Sequence, residues 1–218
     1  MTIRFGVHAR RENDRHRPST ELELFFDLVI VTAVAALTAT MHHSIVHGDI
    51  LASLPEFLIA FVMIWWSWTN YTWFAAAFDN DDWLHRSLTI AMMAGIAIFA
   101  GGIEHIYSSQ TIGFALVGWV IMRGALVVMW LRAAVGSPDL RTSALVFVVG
   151  LCAVQFAWVW VAFSGAETQT TFVYFLALVL AEMLIPVVAG RFGKIPFHQE
   201  HIKERYGLLT IIVLGEIV

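Results

Sequence analysis

The chain has 218 residues, 59% of them hydrophobic and 14% charged, with a formal net charge of -4 and a mean hydropathy of +0.73. A soluble domain carries about a quarter charged residues, so this composition excludes an ordinary cytosolic enzyme, a disordered chain and a nucleic-acid binder. A polytopic membrane protein is what remains.

Seven apolar runs follow in chain order, at about 22–41, 51–78, 84–106, 111–132, 142–163, 171–189 and 207–218. They are too long for strands and lack a two-residue alternation, and in lipid a helix satisfies its backbone internally. The prediction is an all-α membrane bundle of six full transmembrane helices plus the start of a seventh. A basic cytoplasmic segment, 1–21, precedes a transmembrane domain, 22–218. Thr20 and Glu23 have the capping-box spacing that opens the first helix. That run is long, contains Asp27 and lacks a small-x-small cleavage site, so it reads as a retained span and not a signal peptide. The last run covers about a dozen residues, roughly 18 Å of a core near 30 Å, so the chain is expected to be incomplete at its C-terminus.

Basic residues set the expected orientation. Of 13 Lys and Arg, only Arg123 lies deep inside a run; the others fall before the first span or at the connections between spans two and three, four and five, and six and seven, with Arg86 and Arg132 at the run ends. The alternate connections have none, which predicts a cytoplasmic N-terminus.

Ionisable groups in hydrocarbon cost about 2.5–3.5 kcal/mol each at the bilayer centre, so they mark sites. Arg123, Glu182 and Glu216 fall at one depth, roughly 10–15 Å above the cytoplasmic surface, by helix rise. Asp27 is shallower, one turn from Glu23. One Arg against two Glu leaves a carboxylate without a partner, suited to proton exchange. Pro186 cannot bond the Glu182 carbonyl, adding a backbone acceptor at that height. Arg123, Glu182, Glu216 and Asp27 are therefore the candidate ion or proton site. The competing reading is an Arg123–Glu182 pair that only sets helix register.

Other clusters point to packing. Trp65, Trp66, Trp68 and Trp73 crowd the second run, where an aromatic box for a cation competes with interhelical hydrogen bonding. His42, His43, His47 and His105 are the metal-ligand candidates, with Asp49 and Glu104 near them; His198, His201 and Glu204 form a second group. No established metal spacing is present, so no metal is expected. Ala91, Gly95, Ala97, Gly101 and Gly102 permit close helix contact. Cys152, the only cysteine, sits among apolar neighbours as a packing residue. No phosphate loop, nucleophile elbow, Cys-x-x-Cys or dinucleotide fingerprint occurs, so neither enzymatic activity nor a cofactor is expected.

Three stretches resemble the bacterial low temperature requirement protein A family. They are 23–29 (Glu-Leu-Phe-Phe-Asp-Leu-Val), the Trp65-Trp66-x-Trp68 stretch running to Asp79, and 201–216 (His-x-x-Glu-Arg-x-Gly-Leu-x-Thr-Ile-Ile-Val-Leu-Gly-Glu). The resemblance implies a multi-helix inner-membrane protein named for a cold-growth phenotype, with members continuing beyond the Gly-Glu motif. It marks Glu23, Asp27, Glu204, Arg205 and Glu216 as family positions. The function expected is ion- or proton-coupled transport through a buried Arg/Glu site. A structural or stress-adaptation role, or an inactive fragment, is the alternative. The expected partners are the lipid bilayer and a small ion or proton; a homo-oligomer stays open, and nucleic acid is excluded.

Overall fold

The computed structural model describes residues 5–10, 18–78, 81–104, 113–164 and 168–217, with the side chains at 52, 168–172 and 217 left aside. Seven α-helices are present among them: α1 (Glu21–Val46), α2 (Ile50–Ala77), α3 (Trp83–Gly101), α4 (Gly113–Gly136), α5 (Arg141–Phe163), α6 (Thr168–Ala189) and α7 (Gln199–Ile217). A 3-10 turn, Pro138–Leu140, joins α4 to α5. Thr20 caps α1 as expected: its hydroxyl accepts the Glu23 N–H at 3.3 Å, and the Glu23 carboxylate accepts the Thr20 N–H at 2.7 Å. Asp82 caps α3 by accepting the His85 N–H at 2.7 Å. Helix α6 continues through Pro186. The main departure is α7, which begins at Gln199 and not near 207. Its charged opening turns looked like loop, yet His201 and Arg205, one turn apart, are both buried.

Helices α1, α3 and α4, and the 3-10 turn together with α5, are long and apolar enough to cross a membrane; Val173–Ala189 is a shorter apolar segment. Length and composition thus give four candidate spans among the described residues, where the sequence reading expects six. The distribution of side chains agrees with a lipid solvent. Phe156, Leu51, Val149 and Leu180 stand outward, while Asp27, Glu23, Arg123, Glu182 and Arg205 are buried.

Helix α1 packs on α2, α3 and α7; beyond them α3 packs on α4, α4 on α5 and α5 on α6. The tightest seam joins α3 and α4. A Cβ on Gly118 would lie 2.4 Å from the Gly95 carbonyl oxygen, so only hydrogen fits between these backbones. Within the core, Trp130 stacks on Phe147 with ring centroids 3.8 Å apart.

Residues 5–10 lie as a strap across the end of the bundle where α2 and α4 finish. The Val7 N–H donates to Arg132 O at 3.1 Å and the Arg10 N–H to Ala77 O at 3.0 Å. Ser137 Oγ accepts the Ala9 N–H at 2.9 Å and lies 3.1 Å from Val7 O. Arg132 donates from Nε to Phe5 O at 2.8 Å and pairs with Asp82. Gly6 and Gly136 meet backbone to backbone: a Cβ on Gly136 would lie 2.2 Å from Val7 O. Partial burial would raise the Asp82 carboxyl, but the His85 N–H and the Arg132 guanidinium outweigh it and hold the group below its ordinary range.

Candidate functional site

The densest buried polar cluster lies where α1, α2 and α7 meet near the strapped end. Glu23 and Asp27 occupy one face of α1 because they are four residues apart. Trp68 of α2 donates its indole N–H to Asp27 Oδ1 at 2.6 Å. Arg205 of α7 forms an ion pair with the same carboxylate and donates to the Glu23 carbonyl at 3.2 Å. One turn earlier on α7, His201 Nε2 lies 3.5 Å from Glu23 Oε1. The Arg205 guanidinium carbon is 5.8 Å from the Trp68 ring centroid and 5.5 Å from that of Tyr71. Of the indoles that a sequence reading could offer to a foreign cation, Trp68 thus faces the chain's own arginine.

Tyr71 carries the cluster toward α3. Thr89 Oγ1 lies 3.4 Å from the Tyr71 hydroxyl and donates to the His85 carbonyl at 2.9 Å. Tyr71 and Thr89 are fully buried, and the His85 ring lies parallel to Tyr71 at 6.3 Å. Two carboxylates, Glu23 and Asp27, and the His201 imidazole thus gather around the Arg205 guanidinium. Carboxylates and an imidazole beside a permanently charged guanidinium are group types that proton exchange can use.

A second buried pair lies between α4 and α6. Arg123 Nη2 donates to Glu182 Oε2 at 2.6 Å, with the two side chains 3% and 5% exposed. The guanidinium sits 4.1 Å above the Trp119 ring. Among the described residues, its Nε and Nη1 are buried without a hydrogen-bond acceptor. Pro186 leaves the Glu182 carbonyl without its helical donor, so an acceptor accompanies this pair in the backbone.

The structure therefore divides the four site residues expected from sequence. Arg123 and Glu182 meet; Asp27 belongs to the other cluster; Glu216 is exposed on α7 and joins neither. Of the family positions, Glu23, Asp27 and Arg205 converge, and Glu204 is half-buried next to Arg205 in sequence. His201 and Trp68 are the partners that spacing alone did not assign. The four-residue spacing of His201 and Arg205 was the available signal, once helix is extended back to Gln199.

The histidine candidates lie at the opposite end. His43 and His47 stack at 4.2 Å, and His47 Nδ1 is 2.8 Å from His43 O. With Asp49, Ser53 and Glu104 they line an open recess of about 580 Å³. His42 is exposed nearby on α1, and His105 lies outside the described residues. Among the described residues no three His, Cys, Asp or Glu side chains are placed to hold a metal ion.

A family model described as bacterial low temperature requirement A protein matches residues 18–218. An uncharacterized protein of Rhizobium meliloti (strain 1021) is 24% identical over 217 residues, covering 96% of this chain and 52% of that protein. The chain spans about half the length of the curated relative it matches. No solved structure is a significant match.

Proposed function

The chain belongs to the bacterial low temperature requirement A protein family, and we propose that it is a multi-pass protein of the inner membrane that exchanges a proton, coupled to a small ion, through the Glu23–His201 and Asp27–Arg205 cluster. The carrying observation is the gathering of proton-exchanging group types in one buried place: the Glu23 and Asp27 carboxylates flank the Arg205 guanidinium, with the His201 imidazole 3.5 Å from Glu23. A proton that arrives at this cluster changes its charge by one, and its departure leaves a charge that a cation can answer. Tyr71, Thr89 and His85 supply hydroxyls and an imidazole leading from that cluster to α3. The sequence distribution of basic residues supports an orientation with this cluster toward the cytoplasm: twelve of 13 fall before the first expected span or in the alternate connections assigned to that side.

The test is flux through the full-length protein in liposomes carrying a trapped pH dye. An imposed proton or sodium gradient should produce a protein-dependent pH change, and Glu23→Gln and His201→Ala should each abolish it while the protein still assembles. Absence of flux across a range of pH and monovalent ions overturns the reading. Glu216→Gln, on the exposed face of α7, should leave flux unchanged.

A structural, stress-adaptation role is the second reading, favoured by the Arg123–Glu182 pair, whose one-to-one charge needs no exchangeable proton. It predicts that joint apolar replacement of Arg123 and Glu182 preserves growth in the cold.

A further inference from the structure

Outside the charged clusters, one surface feature combines an apolar channel with a basic mouth. Helices α5 and α6 leave a groove of about 430 Å³ between them, lined by Leu145, Val149, Gly150, Ala181, Leu184 and Val188, with Thr142 at one end. Gly150 lets the two helices close at the groove floor: a Cβ there would lie 2.8 Å from Ile185 Cγ1, so the missing side chain makes room for Ile185. The groove spans about eight residues of α5, roughly 12 Å along the membrane normal. Val149, Leu184 and Val188 are exposed along it.

Three basic residues stand at the Thr142 end. Arg141 opens α5, while Arg191 and Lys194 follow the end of α6; all three are exposed. Ser143 Oγ donates to the Gly193 carbonyl at 3.2 Å, which ties the segment carrying Arg191 and Lys194 to the first turn of α5. Leu140, at the α5 N-cap, gives no side-chain cap, so the helix terminus adds its own positive field. Within the described segments 138–142 and 190–194, Asp139 is the one carboxylate against Arg141, Arg191 and Lys194, an excess of two positive charges.

We propose that this groove is a binding site for an anionic phospholipid, one acyl chain lying between α5 and α6 and the phosphate held by Arg141, Arg191 and Lys194. A membrane supplies this occupant directly: an apolar chain of greater length than the groove, joined to a negative headgroup at the depth of the basic cluster. The site depends on the bundle being membrane-embedded and not on transport.

Native mass spectrometry of the full-length protein, titrated with phosphatidylglycerol or phosphatidylcholine in detergent, tests it. Phosphatidylglycerol should be retained preferentially. Replacing Arg141, Arg191 and Lys194 together by Gln should weaken its retention on the order of 100-fold, at about 1 kcal/mol per basic residue, and remove the preference over phosphatidylcholine. Val149→Trp, which fills the channel from an exposed position, should lower retention of both lipids. Equal retention of the two lipids by the parent protein overturns the proposal. So does a Val149→Trp variant that keeps full retention, or glycerol phosphate competing as well as the intact lipid, because the acyl chain then contributes nothing. Cross-linking of cysteines placed at 149 and 184 to a second copy or to a further segment of the full-length chain would show another occupant and also overturn it. Each result is read independently of proton flux.

Discussion

Arg205 reaches back across 178 positions of sequence to Asp27, and neither side chain of the pair is exposed. Asp27 is also held by the Trp68 indole at 2.6 Å, so the pair joins three helices. Removing Arg205 leaves Asp27 buried without its counter-charge, at a cost of roughly 3–5 kcal/mol, and removing Asp27 costs somewhat less because Glu23 still faces Arg205. Asp27→Asn and Arg205→Met should each lower the unfolding temperature in detergent sharply. The double replacement Asp27→Leu with Arg205→Met should recover most of that loss. Strict additivity in the double-mutant cycle would show that the two residues are not coupled.

Arg123 does two things that a lysine does only in part: it pairs with Glu182 and lies flat over Trp119 at 4.1 Å. Arg123→Lys keeps the charge and loses the planar stack, so it should cost about 1–2 kcal/mol. Arg123→Met should cost more, because it strands Glu182. Equal loss in the two variants, measured by thermal unfolding, would assign the whole effect to the stack.

The Asp82–Arg132 pair sets a pH limit on the strap. The folded-state pKa of Asp82 is depressed, so its contribution is fully present above the unfolded value of about 3.9 and fades as pH falls through the lower folded value. Hydrogen exchange at the Val7 amide should therefore be flat from pH 8 to 5, once the intrinsic rate is divided out, and rise in the acid range below about pH 4. Asp82→Asn should raise exchange at every pH and flatten the acid response. A midpoint near neutrality would point to a different group.

Gly136→Ala should release the same strap by sterics. The new methyl would meet Val7 O at 2.2 Å and Val7 N at 2.3 Å, backbone atoms that no rotamer change can move. A loss of about 1–3 kcal/mol is expected, with protection falling at Val7 and Arg10. Gly124→Ala is the control: nothing lies within 4 Å of its Cβ, and alanine in a helix interior should stabilise by about 0.5–1 kcal/mol. Similar losses in both variants would remove the steric explanation.

The helices were legible because lipid rewards long apolar runs, and the Thr20–Glu23 cap was legible because its spacing is local. Arg123 and Glu182 could be matched because each sits well inside an apolar run, where depth follows from counting. Asp27 could not be matched that way. Its partner Arg205 stands among Glu200, Lys203 and Glu204, so the stretch read as a solvated connection. Only the helical extension back to Gln199 turns His201 and Arg205 inward together. Glu216 shows the other limit: counting along a helix gives a position but not a facing direction, which depends on what α7 packs against, chiefly α1 and α2 among the described residues.

The strap also imposes an order on assembly. Ala9 is bonded to Ser137, 128 positions later, and Phe5 to Arg132, 127 positions later. Residues 5–10 thus have nowhere to settle until α1 to α4 have all been made, and such distant contacts form late because closing the intervening loop is costly in entropy. Their docking reports that the ends of α2 and α4 have come together, so a chain in which those two ends stayed apart would be left with this segment unfastened.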